Sequence, residues 1–279
     1  GFVLNNHTIK LSKIGNVNLR IGKNQNKIDG NIKTLTIKRM PSGKWFALFS
    51  CGVDIKTKYV KRKNVGIDVG LENFAMLSDG TTIENHRFLV NSEKKLKTLS
   101  RRLNRKKKGS NGRHDSRIKI ARMYEKISNQ RHDFMHKTTR RIVNKFGHIS
   151  VEDLNIKGII KHPYLAKHVN DASWGNFVRI LDYKAESAGG QVIKVNPKGT
   201  SQICNRCKTK VPKTLATRWH RCPICGLHMH RDLNASKNIL NATAGTAERY
   251  ADGDRSSSLR NQFESSLPEK SEARQLVDR

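Results

Sequence analysis

Residues 204–240 read CNRCKTKVPKTLATRWHRCPICGLHMHRDLNASKNIL. Two CxxC pairs offer four thiolates, as in a tetrahedral zinc site, and the fourteen residues between the pairs are slightly fewer than is usual for such sites. A closed site of four thiolates is structural, so zinc is expected to fold this segment and to position the helix-like run after it. A redox dithiol is the alternative for either pair alone, but the two pairs together favour zinc. The predicted ligands are Cys204, Cys207, Cys222 and Cys225.

The helix-like run after the second cysteine pair begins near an acid, Asp232. Asp68 lies in a strand-like segment, and Glu152 or Asp153 ends a later one. Carboxylates gathered from separate elements bind hard cations such as Mg²⁺, and a pair of such ions supports phosphodiester cleavage. For Asp68 alone, a buried structural aspartate is the alternative interpretation. The three positions together favour a metal-dependent site.

The charge of the chain is strongly positive, with 55 Lys and Arg against 23 Asp and Glu, a net +32. Such an excess of clustered cations predicts a polyanionic partner, and first of all DNA or RNA. A membrane partner is disfavoured because the sequence has neither a run of about 18 apolar residues nor a signal-peptide pattern. Paired cysteines indicate a reducing compartment. We therefore expect a cytoplasmic, nucleoid-associated protein.

Residues 91–146 carry much of this charge on two predicted helices separated by a glycine-containing break at 106–112. Acids are few on this helical arm, so pairing along the helices cannot neutralise its cations. An ordinary solvated helix face is the alternative, but the excess favours a surface that contacts phosphate backbone. The predicted contact residues are Lys94, Lys95, Arg101, Arg102, Arg105, Lys106, Lys107 and Lys108.

Several other segments have clear patterns. Apolar and polar residues alternate through residues 1–62, which predicts strands, and residues 64–84 predict three short antiparallel strands with a turn at Asp79-Gly80. A single helix is predicted over 171–188, with Asp171 as its N-cap. The tail from about residue 245 has the composition of a disordered segment.

Five motifs in this order resemble the TnpB family of insertion-sequence proteins, also called OrfB transposase-like, which are relatives of the type V CRISPR effectors. They are GIDVGLENFAMLSDG (66–80), VEDLNIKG (151–158), DASWGNFVRILDYKA (171–185), NPKGTSQICNRC (196–207) and HRDLNASKNIL (230–240). The resemblance implies an α/β protein with an RNase H-like (RuvC-type) mixed sheet, flanking helices and a zinc ribbon inserted before the last acidic motif. It also implies cleavage of DNA directed by a guide RNA.

Carried over position by position, the resemblance implies that Asp68, Glu152 and Asp232 are catalytic residues that bind Mg²⁺, with Glu152 rather than Asp153 in the second place. His230 departs from the family pattern, since many relatives have an acid there. The resemblance divides the chain into a partial β-barrel at 1–62, a RuvC-like core at 63–202, the ribbon at 203–229, the last motif and its helix at 230–244, and the tail at 245–279.

Members of this family are commonly longer, and this chain is expected to lack an N-terminal part of the barrel and the helical domain inserted in it. Two functions therefore stay open. The first is a transposon-encoded, Mg²⁺-dependent nuclease that is RNA-guided when the missing part is present. The second is a DNA- or RNA-binding remnant that keeps the zinc ribbon without cleaving. A regulator built only on a zinc ribbon would leave the three acids unexplained.

Overall fold

The N-terminal strands form two separate antiparallel sheets. The computed structural model describes residues 1–5, 7–22, 30–53, 62–214 and 216–243. The first sheet consists of β1 (Phe2–Asn5), β2 (Thr8–Leu11) and β3 (Gly15–Asn18), and the second is the hairpin of β4 (Asn31–Arg39) and β5 (Trp45–Gly52). The rings of Phe2 and Phe49 connect the two sheets, with centroids 6.4 Å apart. Closure of these strands into a partial barrel stays a prediction.

A mixed five-stranded sheet forms the centre of the protein. Its strands are β6 (Lys63–Val69), β7 (Asn73–Leu77), β8 (Thr82–Glu84), β9 (Phe146–Glu152) and β10 (Gln191–Val195), in the order β10-β9-β6-β7-β8. Strands β6, β7 and β8 are antiparallel, as predicted, whereas β9 pairs in parallel with both β6 and β10. The prediction of an α/β protein with a mixed sheet is therefore confirmed.

Helices cover the two faces of this sheet. They are α1 (Phe88–Asn104), α2 (Asn111–Lys145), α3 (Ile156–Ile160), α4 (Pro163–Ala172), α5 (Trp174–Ser187) and, after the hairpin of β11 (Trp219–Arg221) and β12 (His228–His230), α6 (Arg231–Asn241). Val65 and Ile67 of β6 point into the main core, which α2 and α5 complete. Because side chains alternate along a strand, Gly66 and Asp68 face the other side, where α6 packs.

The predicted helix over 171–188 is two helices, and its predicted N-cap was wrong. Ser173 adopts a left-handed conformation, with φ of 55°, and separates α4 from α5. Asp171 is instead buried at the end of α4, where its carboxylate accepts hydrogen bonds from the backbone N–H groups of Leu89 and Val90 and from Arg131. The acid thus caps α1, which is distant in sequence, and ties the helical arm to the core.

Loss of the Asp171 carboxylate is expected to destabilise the protein strongly. Asp171→Ala would leave Arg131 partly buried without its partner and the first turn of α1 uncapped, at a cost of about 3 kcal/mol in the free energy of unfolding. Denaturant unfolding measures this. The control is Asp133→Ala, which breaks the exposed pair with Lys137 and should cost less than about 0.5 kcal/mol. Equal losses of unfolding free energy in the two variants would contradict the role of Asp171 as the buried partner of Arg131 and cap of α1.

The domain boundaries given above stay predictions. The tail at 245–279 lies outside the described residues. In the described part of the chain, no helix combines the length and apolarity needed to cross a membrane.

Candidate active site and metal centre

Gly66 allows the last helix to lie directly against the central strand. A Cβ atom at this position would lie 2.1 Å from the backbone oxygen of Ser236 and 2.6 Å from the backbone nitrogen of Leu240. No side chain can be accommodated at that distance, so the backbones of β6 and α6 meet there. The N-terminal turn of α6, which carries Asp232, is thereby held on the same face of the sheet as Asp68.

The register of the sheet places two of the predicted acids side by side. Strands β6 and β9 are parallel neighbours, and Ile67 pairs with Val151, so Asp68 and Glu152 come next on the two strands. Gly66 pairs with Ser150 in the same register. The hydroxyl groups of Ser150 and Thr243, just after α6, lie 2.6 Å apart, so this face of β9 also points towards α6. Both acids therefore share one face at the carboxyl ends of their strands.

The third predicted acid comes within electrostatic range of the first. Burial raises the pKa of the Asp68 carboxyl well above its usual value, and the negative charges of Glu152 and Asp232 raise it further. The positive charge of Arg231 acts in the opposite direction. Asp232 lies in the first turn of α6, and Nε of Arg231 donates to its Oδ1 at 3.2 Å. The charges of Glu152 and Asp232 thus act on Asp68 from two other elements, although among the described residues only the four cysteines have their ligand atoms all within 4.8 Å of one another.

The side chains of Glu152 and its neighbour Asp153 have different surroundings in the structure. Glu152 is half-buried, and the hydroxyl group of Thr200 donates a hydrogen bond to its Oε1. Burial raises the pKa of Glu152, and the Thr200 bond partly offsets this. Asp153 is exposed and lies 3.6 Å from the ammonium of Lys194. Only Glu152 faces the carboxylate cluster.

Thr200 belongs to the site, although its residue type alone gave no signal. It lies after β10 in the NPKGTSQ segment, whose role as a loop beside the acids depends on tertiary structure. Nδ2 of Asn238 in α6 donates to the carbonyl oxygens of Thr200 at 2.8 Å and Ile203 at 2.6 Å. One loop therefore contacts Glu152, α6 and the start of the cysteine-rich segment.

The close approach at Gly66 leads to a prediction. Gly66→Ala should push α6 away from β6, lower the free energy of unfolding by about 3 kcal/mol and displace Asp232. Thermal or denaturant unfolding measures the loss. Gly175→Ala is the matched control, because nothing lies within 4 Å of a Cβ there and the position is helical. It should stabilise the protein by roughly 0.5–1 kcal/mol.

The four predicted zinc ligands lie together. Their sulfur atoms are all within 4.8 Å of one another, with Cys204 to Cys225 at 3.6 Å and Cys207 to Cys222 at 3.4 Å. A zinc ion with tetrahedral bonds of about 2.3 Å requires sulfur separations of about 3.8 Å, so the cluster fits this ion. Hydrogen bonds from Thr209 lower the pKa of Cys207 to about 6, whereas burial and the neighbouring thiols raise the pKa of Cys225 to about 11, so in the absence of a metal the four thiols are not all ionised.

Buried asparagines connect this cysteine cluster to α6. Oδ1 of Asn234 accepts from the backbone N–H of Asn205 at 2.9 Å, and its Nδ2 donates to the carbonyl of Ile203 at 2.7 Å. Asn234 is fully buried, one turn from the start of α6. The residues that flank Cys204 are thus hydrogen-bonded to the helix that carries Asp232.

The basic residues predicted to bind nucleic acid form an exposed surface on the helical arm. All eight are exposed, and they lie on α1 and in the connection to α2. In the part of the chain that the structure describes, none of them forms an ion pair with a carboxylate. Their charge is available to a partner. They are Lys94, Lys95, Arg101, Arg102, Arg105, Lys106, Lys107 and Lys108.

Two of the proteins that are similar to this chain in sequence have names that describe RNA-guided DNA endonucleases. A protein of Streptomyces pristinaespiralis named "Putative RNA-guided DNA endonuclease" is 32% identical over 252 residues, which are 88% of this chain and 60% of that protein. "Putative RNA-guided DNA endonuclease InsQ" of Escherichia coli (strain K12) is 32% identical over 254 residues, 85% of this chain and 62% of that protein. The chain thus spans about three fifths of the length of these relatives.

Among solved structures, a Cas12f1–sgRNA–target DNA complex aligns with a TM-score of 0.47 and 20% identity, over 74% of this chain and 55% of that one. A similarity of that size does not establish a shared fold. Family models are more specific: one described as "Probable transposase" (OrfB_IS605) matches residues 51–162, and one described as "Cas12f1-like, TNB domain" matches residues 174–239. Together with the relatives above, these matches confirm the predicted resemblance of this chain to the TnpB family, also called OrfB.

Proposed function

We propose that this chain is the nuclease part of an RNA-guided DNA endonuclease encoded by a transposable element. The observation that carries the proposal is the cluster of Asp68, Glu152 and Asp232 on one face of the sheet. Repulsion among buried carboxylates is costly, and such a cluster is typical of a site that functions with a bound cation. The order β8-β7-β6-β9-β10, antiparallel and then parallel, supports an RNase H-like sheet.

The three carboxylates would hold Mg²⁺. Their oxygen atoms are the ligands that this hard cation prefers, and they come from two strand ends and a helix N-terminus. When bound, divalent ions activate a water molecule and stabilise the leaving oxygen of a phosphodiester. Thr200 would hold the carboxylate of Glu152 in place, and Arg231 would hold that of Asp232. The four cysteines would bind a structural zinc ion that fixes α6.

The exposed cations of the arm would bind the phosphate backbone without reading its sequence. The names of the relatives support DNA as the substrate and a guide RNA as a partner. This chain spans about three fifths of the length of those relatives. Their names alone therefore do not assign RNA-guided cleavage to this chain, and we propose it on the basis of the carboxylate cluster.

The test is cleavage of single-stranded and duplex DNA by the purified chain, with Mg²⁺ and with EDTA. We expect cleavage only with Mg²⁺ and a loss of at least about 10³-fold in Glu152→Gln, corresponding to about 4 kcal/mol of transition-state stabilisation. The neighbouring exposed acid provides the matched control: Asp153→Asn should cleave at the wild-type rate. Tight, salt-sensitive DNA binding with no cleavage under any condition would instead support the non-cleaving remnant.

A further inference from the structure

A second cationic site lies on the far side of the sheet from the carboxylates. A cavity of about 610 Å³ opens between the C-terminal half of α2 and α5. These two helices cover the sheet face that receives Val65 and Ile67, whereas α6 and the acids occupy the opposite face. Every residue that lines the cavity is basic, namely His136, Lys137, Arg140, Arg141 and Lys184.

Lys184 is the unusual member of this set because it is buried without an acid. Only 5% of the residue is exposed, and its Nζ donates to the carbonyl of His136 at 2.7 Å and to the hydroxyl of Thr139 at 3.1 Å. Both acceptors are neutral, and among the described residues no carboxylate pairs with it. Lysine is almost never buried so deeply unless it is paired. An ammonium has three protons, so a further acceptor can bind.

The positive charge of the cavity comes from its lysines and arginines, because the pKa of His136 is lowered. Burial lowers the pKa of His136, and so do the positive charges of Lys184, His132, Arg140 and Arg179. Of the lining residues, Lys137 has an acidic partner, Asp133, in an exposed pair at 2.8 Å. Asp182 and Glu186 of α5 each lie two positions from Lys184, on the opposite side of that helix. The cavity is therefore suited to an anion with more than one charged oxygen.

We propose that this cavity binds a backbone phosphate of the nucleic acid on which the protein acts. The guanidinium groups of Arg140 and Arg141 are exposed, and their fork geometry matches phosphate oxygens. Lys184 lies behind them; burial and the charge of Arg140 lower the pKa of its ammonium, and a bound phosphate would oppose that effect. The proposal rests on the proposed nucleic-acid function and adds to it a contact away from both the arm and the carboxylates. A nucleic acid held there would pass around the α2–α5 side of the core.

The test compares three variants in binding to a fluorescein-labelled single-stranded RNA and to the DNA of the same sequence, over a series of salt concentrations. Arg140→Gln with Arg141→Gln should weaken binding about tenfold and reduce the salt slope by roughly 0.7, the value for one single-strand phosphate contact. Arg140→Lys with Arg141→Lys keeps the net charge and should retain most of the slope. Lys10→Gln with Lys38→Gln removes the same charge from the N-terminal strands and should weaken binding less than about twofold.

Equal weakening in the two Gln variants would overturn the proposal, because it would show a general effect of net charge. Binding of inorganic pyrophosphate provides a second experiment. If it raises the melting temperature of the wild type but not of the Arg140→Gln, Arg141→Gln variant, while nucleic-acid affinity is the same in both, the site takes free phosphate and the proposal is wrong. Failure of the wild type to cleave, combined with the expected binding loss, would refute the nuclease function and leave this site standing. Cleavage by the wild type, combined with unchanged nucleic-acid binding by the Arg140→Gln, Arg141→Gln variant, would support the nuclease function and refute the phosphate site.

Discussion

Asp68→Asn is expected to abolish cleavage and, at the same time, to stabilise the protein in the absence of divalent ions. Asp68 is the most strongly perturbed acid of the cluster, since burial and the charges of Glu152 and Asp232 oppose its ionisation. An amide of the same shape removes that repulsion, so the free energy of unfolding should rise by about 1–2 kcal/mol. Cleavage should fall by at least about 10³-fold, because one ligand of the proposed Mg²⁺ site is lost.

The gain in stability of Asp68→Asn should depend on pH, because the pKa of Asp68 is raised in the folded protein. An acid whose pKa is higher in the folded state than in the unfolded chain reduces stability once the pH rises above its unfolded value. The advantage of Asp68→Asn should therefore be largest near neutral pH and should vanish below about pH 4, where Asp68 is protonated in both states. Thermal unfolding of both proteins in EDTA across this range measures it.

Added Mg²⁺ should reverse the order of stability. The ion would bind the folded wild type and raise its melting temperature, whereas the variant would gain little. The control is Asp79→Asn, an acid outside the cluster whose pKa is lowered, chiefly by its hydrogen bond with Lys145. That substitution should lower stability at neutral pH and leave cleavage intact. A less stable Asp68→Asn protein would show that Asp68 is a structural aspartate, the alternative that its sequence context left open.

The sequence predicted the local elements of this site better than their connections. Alternation around Asp68, the strand before Glu152 and the helix after Asp232 were each visible, because strand and helix periodicities are local properties. The choice of Glu152 over Asp153 needed the family resemblance. Its physical reason is the pleat of β9, which turns Glu152 towards α6 and Asp153 towards Lys194.

Tertiary contacts account for the features that the sequence did not predict. Asp171 has the residue type and position of an N-cap, yet the helix that it caps is α1, more than eighty residues earlier in the chain. Thr200 and Gly66 gave no signal of their own, since each matters only for the group that lies opposite: a carboxylate in one case and the backbone of α6 in the other. The pocket at Lys184 likewise requires two helices from separate segments.

Removal of zinc is expected to reduce cleavage at the carboxylate site even though Asp68, Glu152 and Asp232 are all still present. In the described part of the chain, the cysteine-rich segment is joined to α6 through Asn234 and Asn238, which bond to backbone groups on both sides of Cys204. Without a metal the small β11–β12 hairpin has little apolar core of its own, and zinc sites of this kind supply most of the folding energy of such segments. The N-terminal turn of α6, with Asp232, would then lose its anchor.

Cys204→Ser should therefore lower the zinc content from one ion per chain towards zero, reduce the free energy of unfolding by several kcal/mol and reduce Mg²⁺-dependent cleavage by at least about tenfold. Elemental analysis, thermal unfolding and DNA cleavage measure the three effects. Cys51→Ser is the matched control, because Cys51 lies in β5 outside the cluster and should change none of them. Full cleavage by a zinc-free Cys204→Ser protein would show that the contacts of α6 with the central sheet are enough to keep Asp232 in place.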